Sequence, residues 1–193
     1  MDFPEARPAD SFKFSHIRYE KREHCATITI DRPAVLNCLH FPALRELSRA
    51  LEDVSWDDRI RVLVLTGAGD RAFCTGADLA EQGEYCLAEP SAYWKWMGAF
   101  IEVHDRLRNL GKPSVARLNG MVVGGGNEMN MSCDLAVAAD DVTIRQVGAA
   151  RGSVAAGGAT QWLPLIIGDR RAREMLLLCE PITAAQALDW GLV

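Results

Sequence analysis

The sequence predicts an α/β domain in which short apolar strands alternate with helices, and three observations carry that reading. Cys25-Ala26-Thr27-Ile28-Thr29-Ile30 and Val62-Leu63-Val64-Leu65 are β-branched and apolar, as strands require. Between them, Phe41 to Val54 sets Leu44, Leu47, Leu51 and Val54 at helical spacing. The chain has 193 residues and 49% hydrophobic content, enough to bury a substantial core, and no low-complexity linker divides it.

Taken in order, Met1 to Asp10 holds Pro4, Pro8 and several acids but no apolar run, so residues 1–12 read as a flexible tail. Residues 13–193 then form one domain. After the first strand and helix, Arg61 to Gly67 is strand-like and leads into the small-residue turn Ala72-Phe73-Cys74-Thr75-Gly76-Ala77-Asp78-Leu79. A longer helix is expected from Ser91 to Asn109, with Trp94, Met97, Ile101, His104 and Leu107 along one side. Trp94, Met97 and Ile101 read as core packing. Gly111 and Pro113 stop this helix and begin a strand running towards Gly120. Ala136-Val137-Ala138 continues the sheet. Thr183 is an N-cap for a last short helix through Asp189, closed by Gly191.

The most informative stretch is Gly124-Gly125-Gly126-Asn127-Glu128, where a bare turn opens a helix. Backbone N–H groups at a helix start have no partner within the helix, and the helix dipole lets them hold a negative oxygen. Glycine removes the Cβ that would keep a substrate away. Glu128 follows Gly125 by about one turn, which sets an acid/base carboxylate beside that hole. Alone, the segment fits an ordinary strand-to-helix loop equally well. The turn around Gly76 and Ala77 adds a second donor loop, and two such donors complete an oxyanion hole.

These segments resemble the crotonase (enoyl-CoA hydratase/isomerase) superfamily from about Ile17 to Val193. The resemblance is carried by Asp31-Arg32-Pro33 with Leu36-Asn37, Phe73 to Leu79, Lys112-Pro113, Asn119-Gly120 through Glu128, Cys133-Asp134, and Gly158 to Gly168. It implies a spiral of strand-strand-helix turns, assembled as homotrimers or homohexamers. By position it implies that the N–H groups of Ala77 and Gly125 hold a thioester oxygen. Asp78 and Leu79 would touch the substrate and its coenzyme A arm. No cofactor is implied beyond coenzyme A as part of the substrate, and no metal. Asp189-Trp190-Gly191-Leu192-Val193 matches the point where the family continues into a C-terminal helical segment, so that segment reads as missing and the chain as a fragment.

One departure sharpens the reading. Family hydratases carry a second glutamate in a Gly-Gln-Pro-Glu-like stretch, and here Arg145-Gln146-Val147-Gly148 puts glycine in its place. The aspartate that some family isomerases use falls at Gly157. Glu128 is left as the one acid at the usual positions, although hydration needs a group to activate water and one to move a proton. Glu81, Glu84 and Tyr85 follow the oxyanion loop, and of these Tyr85 is the first candidate to help, since a phenol hydrogen-bonds without burying charge. Gln146-x-Gly148, Gly152 to Thr160 and Leu163-Pro164-x-x-Ile167-Gly168 resemble the 6-oxocyclohex-1-ene-1-carbonyl-CoA hydrolase subfamily, which opens a ring by hydration and hydrolysis. Ala77-Asp78 is instead the general hydratase spelling.

Composition narrows the alternatives. A net charge of −5 argues against nucleic acid or an anionic membrane as main partner. Arg32, Lys112 or Arg117 could contribute to coenzyme A phosphates, although each reads first as an ordinary solvated charge. Six scattered cysteines without a C-x-x-C pair call for neither zinc nor a disulfide framework, and the chain reads as cytoplasmic. Cys74 lies beside the oxyanion loop but has no histidine near in sequence, so a buried thiol is the plainer reading. Ser153 is not in a G-x-S-x-G elbow. The sequence therefore points to an enzyme that adds water to an α,β-unsaturated, in the specialised case cyclic, acyl-CoA. Ring-opening hydrolysis and a catalytically weak acyl-CoA-binding subunit are the alternatives.

Overall fold

The computed structural model describes residues 5–86 and 88–193, with the backbone alone at 85 and 86. Two sheets are built by one repeated device. The strands are β1 (Ile17–Arg22), β2 (Cys25–Ile30), β3 (Val62–Gly67), β4 (Ala72–Cys74), β5 (Ser114–Leu118), β6 (Met121–Val123), β7 (Leu135–Ala138), β8 (Thr143–Arg145) and β9 (Ile182–Thr183). The helices are α1 (Phe41–Trp56), α2 (Leu79–Glu81), α3 (Pro90–Arg108), α4 (Gly125–Ser132), α5 (Ala159–Ile167), α6 (Asp169–Leu178) and α7 (Ala184–Asp189).

β3, β5 and β7 enter a five-stranded sheet of order β1-β2-β3-β5-β7, parallel except for the β1–β2 hairpin. Each is followed within a few residues by a strand of a second sheet, β4-β6-β8-β9, and then by a helix. The expected strand-strand-helix spiral is therefore present, three turns deep. Parallel neighbours need a crossover: α1 alone joins β2 to β3, whereas the β3–β5 and β5–β7 crossovers each carry a short strand as well as helix. Ile28, Ile30, Leu63, Leu65, Ala116 and Leu118 are buried from the large sheet, and Leu44, Leu47 and Leu51 of α1 cover it.

One reading changes. Along α3 the stripe Trp94–Met97–Ile101 is not the core face: Trp94 is 79% exposed and Ile101 41%. The buried positions are Trp96, Phe100, Val103, His104 and Leu107, also at helical spacing but rotated about the axis. Residues 7–12, within the segment read as a tail, make contacts with the domain. Arg7 N–H donates to Asp53 at 2.8 Å, and the Phe12 ring stacks on Phe14 at 5.1 Å and meets Tyr19 edge-on. The final helix forms as expected, with Thr183 and Gln186 making a reciprocal capping box.

Buried charge gathers where β1 meets the C-terminus of α1. Lys21 bridges Asp53 and Asp57, Arg59 forks onto Asp57 at 2.9 and 3.0 Å, and Tyr19 donates to Asp53 at 2.6 Å. The Arg59 fork and Lys21 hold the Asp57 carboxyl far below the ordinary range, against the opposing effect of burial. Lys112 donates to the carbonyls of Val54 and Asp57, both at 2.6 Å, and so closes the end of α1.

Candidate active site

The site forms where the β4–α2 and β6–α4 loops meet. α4 opens at Gly124 (φ 53°), as the glycine run predicts. Its tight seat explains the glycines. A Cβ at Gly126 would lie 2.0 Å from the Cys74 carbonyl oxygen, and one at Gly76 (φ +80°) would lie 2.8 Å from the Gly125 nitrogen. The two loops are thus in backbone contact, and Ala77 and Gly125 are brought together.

Backbone pairing decides where their N–H groups point. Leu39 and Ala77 form a parallel bridge, in which Leu39 N–H donates to the Gly76 carbonyl (2.7 Å) and Asp78 N–H donates to the Leu39 carbonyl (2.8 Å). Ala77 sits between these paired groups, so its own N–H faces the opposite side, where it has no partner among the described residues. Gly125 N–H belongs to the first turn of α4 and has no partner within the helix. Both residues line one cleft of about 140 Å³. Leu79, Trp96, Met97, Phe100, Val147 and Val154 make most of its wall apolar, and Glu128 is its one carboxylate among the described lining residues.

Glu128 is 3% exposed, and its Oε1 accepts from Ala159 N–H at 3.0 Å. Burial raises its pKa, opposed by the backbone N–H groups of Ala159, Gly157 and Gly158 and by the Arg108 charge. Glu128 is therefore seated on the start of α5 as well as inside α4. Arg108 itself lies over the Trp162 ring at 4.0 Å. Neither contact was visible in the sequence, although Gly157-Gly158 before a helix repeats the signature of Gly124-Gly125-Gly126.

The remaining candidates are placed as follows. Leu79 is exposed on the cleft rim. Asp78 faces away: it caps α2 by accepting from Ala80 and Glu81 N–H and pairs with Arg32 at 3.0 Å. Its carboxyl is lowered despite the opposing effect of burial, because Arg32 and the Glu81 N–H bind it. The side chain of Tyr85 lies outside the described residues. Glu81 is half-buried; it accepts from Phe41 N–H and Trp96 Nε1, both at 2.8 Å, and so ties α1, α2 and α3 together. Cys74 is fully buried, which pushes its thiol up to about 12, as a structural cysteine should be. Arg32 and Lys112 are engaged in the contacts above and line neither the cleft nor its extension, and Arg117 is exposed on β5. The cations that do line an adjoining groove of about 540 Å³ are Arg145 and Arg151. Thr75, Ala77, Leu79, Val147 and Arg151 belong to both cavities, so the groove continues the cleft.

Paired strands each followed by a helix, wound into a spiral, are the crotonase fold class. The chain belongs to the Enoyl-CoA hydratase/isomerase family, which matches it over residues 20–193. A curated relative, 6-oxocyclohex-1-ene-1-carbonyl-CoA hydrolase from Geobacter metallireducens, is 33% identical over 199 residues, spanning 97% of this chain and 52% of the relative. The chain thus covers about half the length of that relative. Among solved structures, Pseudomonas aeruginosa DspI superposes with a TM-score of 0.90 at 34% identity, covering 96% of this chain and 70% of that one. An enoyl-CoA hydratase from Bacillus anthracis gives 0.88 at 30% identity, covering 93% and 69%. Among the described residues, no helix is long and apolar enough to cross a membrane.

Proposed function

We propose that this protein adds water to an α,β-unsaturated acyl-CoA, with the thioester oxygen held by the N–H groups of Ala77 and Gly125 and the proton handled by Glu128. The observation that carries the reading is the single buried carboxyl in an apolar cleft, one helical turn from a bare N–H pair. Attack of water at the β-carbon pushes the π electrons onto the thioester, whose oxygen becomes negative where two fixed donors await it. Glu128 takes the proton from water as the C–O bond forms. It returns that proton to the α-carbon as the enolate collapses. Burial raises the proton affinity of this carboxyl, which strengthens it as a base towards water. The adjoining groove with Arg145 and Arg151 suits the coenzyme A arm and its phosphates. Assembly into trimers or pairs of trimers is part of the same proposal.

The 33% identity to a ring-opening hydrolase supports a second reading, in which a cyclic oxo-enoyl-CoA is hydrated and then cleaved. One experiment separates the two. The protein is incubated with crotonyl-CoA and, separately, 6-oxocyclohex-1-ene-1-carbonyl-CoA, and the products are weighed by mass spectrometry. One added water on crotonyl-CoA supports the hydratase; two on the cyclic thioester alone support ring opening. Binding of both with no mass change defeats both readings and leaves an acyl-CoA-binding subunit.

A further inference from the structure

Gly157 separates two side chains from different helices. A Cβ there would lie 2.7 Å from His104 Nε2 and 3.0 Å from the Cβ of Glu128. No side chain fits, so the glycine lets the imidazole edge and the glutamate flank one point. His104 is 2% exposed, and its Nδ1 lies 2.7 Å from the Phe100 carbonyl oxygen one turn back along α3. A carbonyl only accepts, so Nδ1 carries the proton and Nε2 presents a bare lone pair. That nitrogen makes no hydrogen bond among the described residues, although the Gly125 backbone also lies close to the imidazole. A buried acceptor left in this state calls for an explanation.

Glu128 supplies one. The groups that hold its carboxyl are donors or a cation: the N–H groups of Gly157, Gly158 and Ala159, and Arg108. They favour the carboxylate. The reaction proposed above also requires Glu128 to hold a proton between water activation and delivery to carbon, and a carboxylic acid O–H needs an acceptor. We propose that His104 is a positioning residue whose Nε2 accepts the hydrogen bond of protonated Glu128, steadying the acid form midway through the reaction. This inference rests on the acid/base role given to Glu128 above. The O–H bond stays intact until the proton goes to the substrate, and His104 gains none. Burial pushes His104 down to about 4, so it remains a neutral acceptor at pH 7.

The other titratable groups in this region are accounted for. Arg108 on α3 favours ionised Glu128, and Asp105 sits beside His104 on the exposed side of that helix. Cys74 below Gly126 and Cys133 after α4 are thiols that burial raises to about 12, hence neutral. Arg151 lines the cleft.

The test follows both partners by NMR in the full chain, with ¹⁵N-labelled histidine and ¹³C-labelled glutamate side chains. At pH 7 the His104 Nε2 resonance should be that of an unprotonated nitrogen, and it should move as Glu128 takes up its proton. Glu128→Gln should abolish that movement. A protonated Nε2 at pH 7, or a resonance indifferent to the Glu128 titration, overturns the proposal using the wild-type chain alone. His104→Leu should lower the Glu128 titration midpoint, and with it the acid limb of the pH–rate profile, by roughly one pH unit, the worth of one buried hydrogen bond. His104→Gln, which keeps an acceptor, should recover part of the shift. An unmoved midpoint in folded His104→Leu refutes the contact. If the midpoint moves but Glu128→Gln leaves turnover intact, the pair stands and the acid/base reading fails instead.

Discussion

Adding a single methyl group at Gly125 tests whether the oxyanion hole drives the reaction. A Cβ at this position would lie 2.9 Å from both Cε2 and Cζ of Phe100 and 3.3 Å from the Gly76 Cα. The ring cannot swing freely, because it stacks on Trp96 at 5.3 Å and leans on His104 at 4.3 Å. In Gly125→Ala the start of α4 must therefore back away from the Gly76–Ala77 loop, or the ring must enter the cleft. The first response separates the two N–H groups, and the second fills the space the thioester needs. Misaligning one such donor costs about 10²–10³-fold in turnover, roughly 3–4 kcal/mol of transition-state stabilisation. Overpacking costs the fold about 1–3 kcal/mol. At roughly 2–4 °C per kcal/mol for a chain of this size, the melting temperature should fall by several degrees while the protein stays folded. Steady-state kinetics on crotonyl-CoA and thermal unfolding measure the two effects separately. A folded Gly125→Ala enzyme with wild-type kcat would refute the oxyanion-hole argument.

Gly126→Ala should fail differently: its Cβ would meet the Cys74 carbonyl at 2.0 Å, and backbone cannot yield as a side chain can. Loss of soluble folded protein, or a melting drop larger than that of Gly125→Ala, checks this by calorimetry. Glu128→Gln should lose turnover yet keep its melting temperature at pH 7, since the amide oxygen can still accept from Ala159 N–H. The sign follows from burial: a carboxyl whose folded pKa lies above its unfolded value contributes stability at low pH that is lost as pH rises through the folded value. Relative to the Gln variant, the wild type should therefore gain stability on acidification from pH 7. Asp57 runs the other way: its lowered carboxyl contributes stability above about pH 4 that is lost as pH falls further. Asp57→Asn should cost on the order of 1–3 kcal/mol at pH 7 and flatten the acid limb of a urea-denaturation series, because it removes the charge that Lys21 and Arg59 share while Lys21 keeps Asp53. Identical denaturation midpoints for variant and wild type at pH 7 would count against that cluster.

The alternation of strand and helix, the glycine-led start of α4 and the Thr183 cap were legible in the chain because each depends on neighbours within a few residues. The glycines beside Ala77, Gly125 and Glu128 signalled backbone in close approach, while the choice of Ala77 and Gly125 as donors rested on the family resemblance. Periodicity could not choose the buried face of α3: the stripes through Trp94 and Trp96 both have helical spacing, and only packing against α1 and the cleft favours the second. Contacts between distant segments were equally hidden. Arg32 meets Asp78 across 46 positions, which turns a candidate phosphate ligand and a candidate substrate contact into an ion pair with each other. Glu128 meets Ala159 across 31, and that seat, with burial and Arg108, sets its proton affinity. Local chemistry is written in the order of residues. The electrostatics of a buried carboxyl belongs to whatever the fold brings around it, and here that was decided by the spiral.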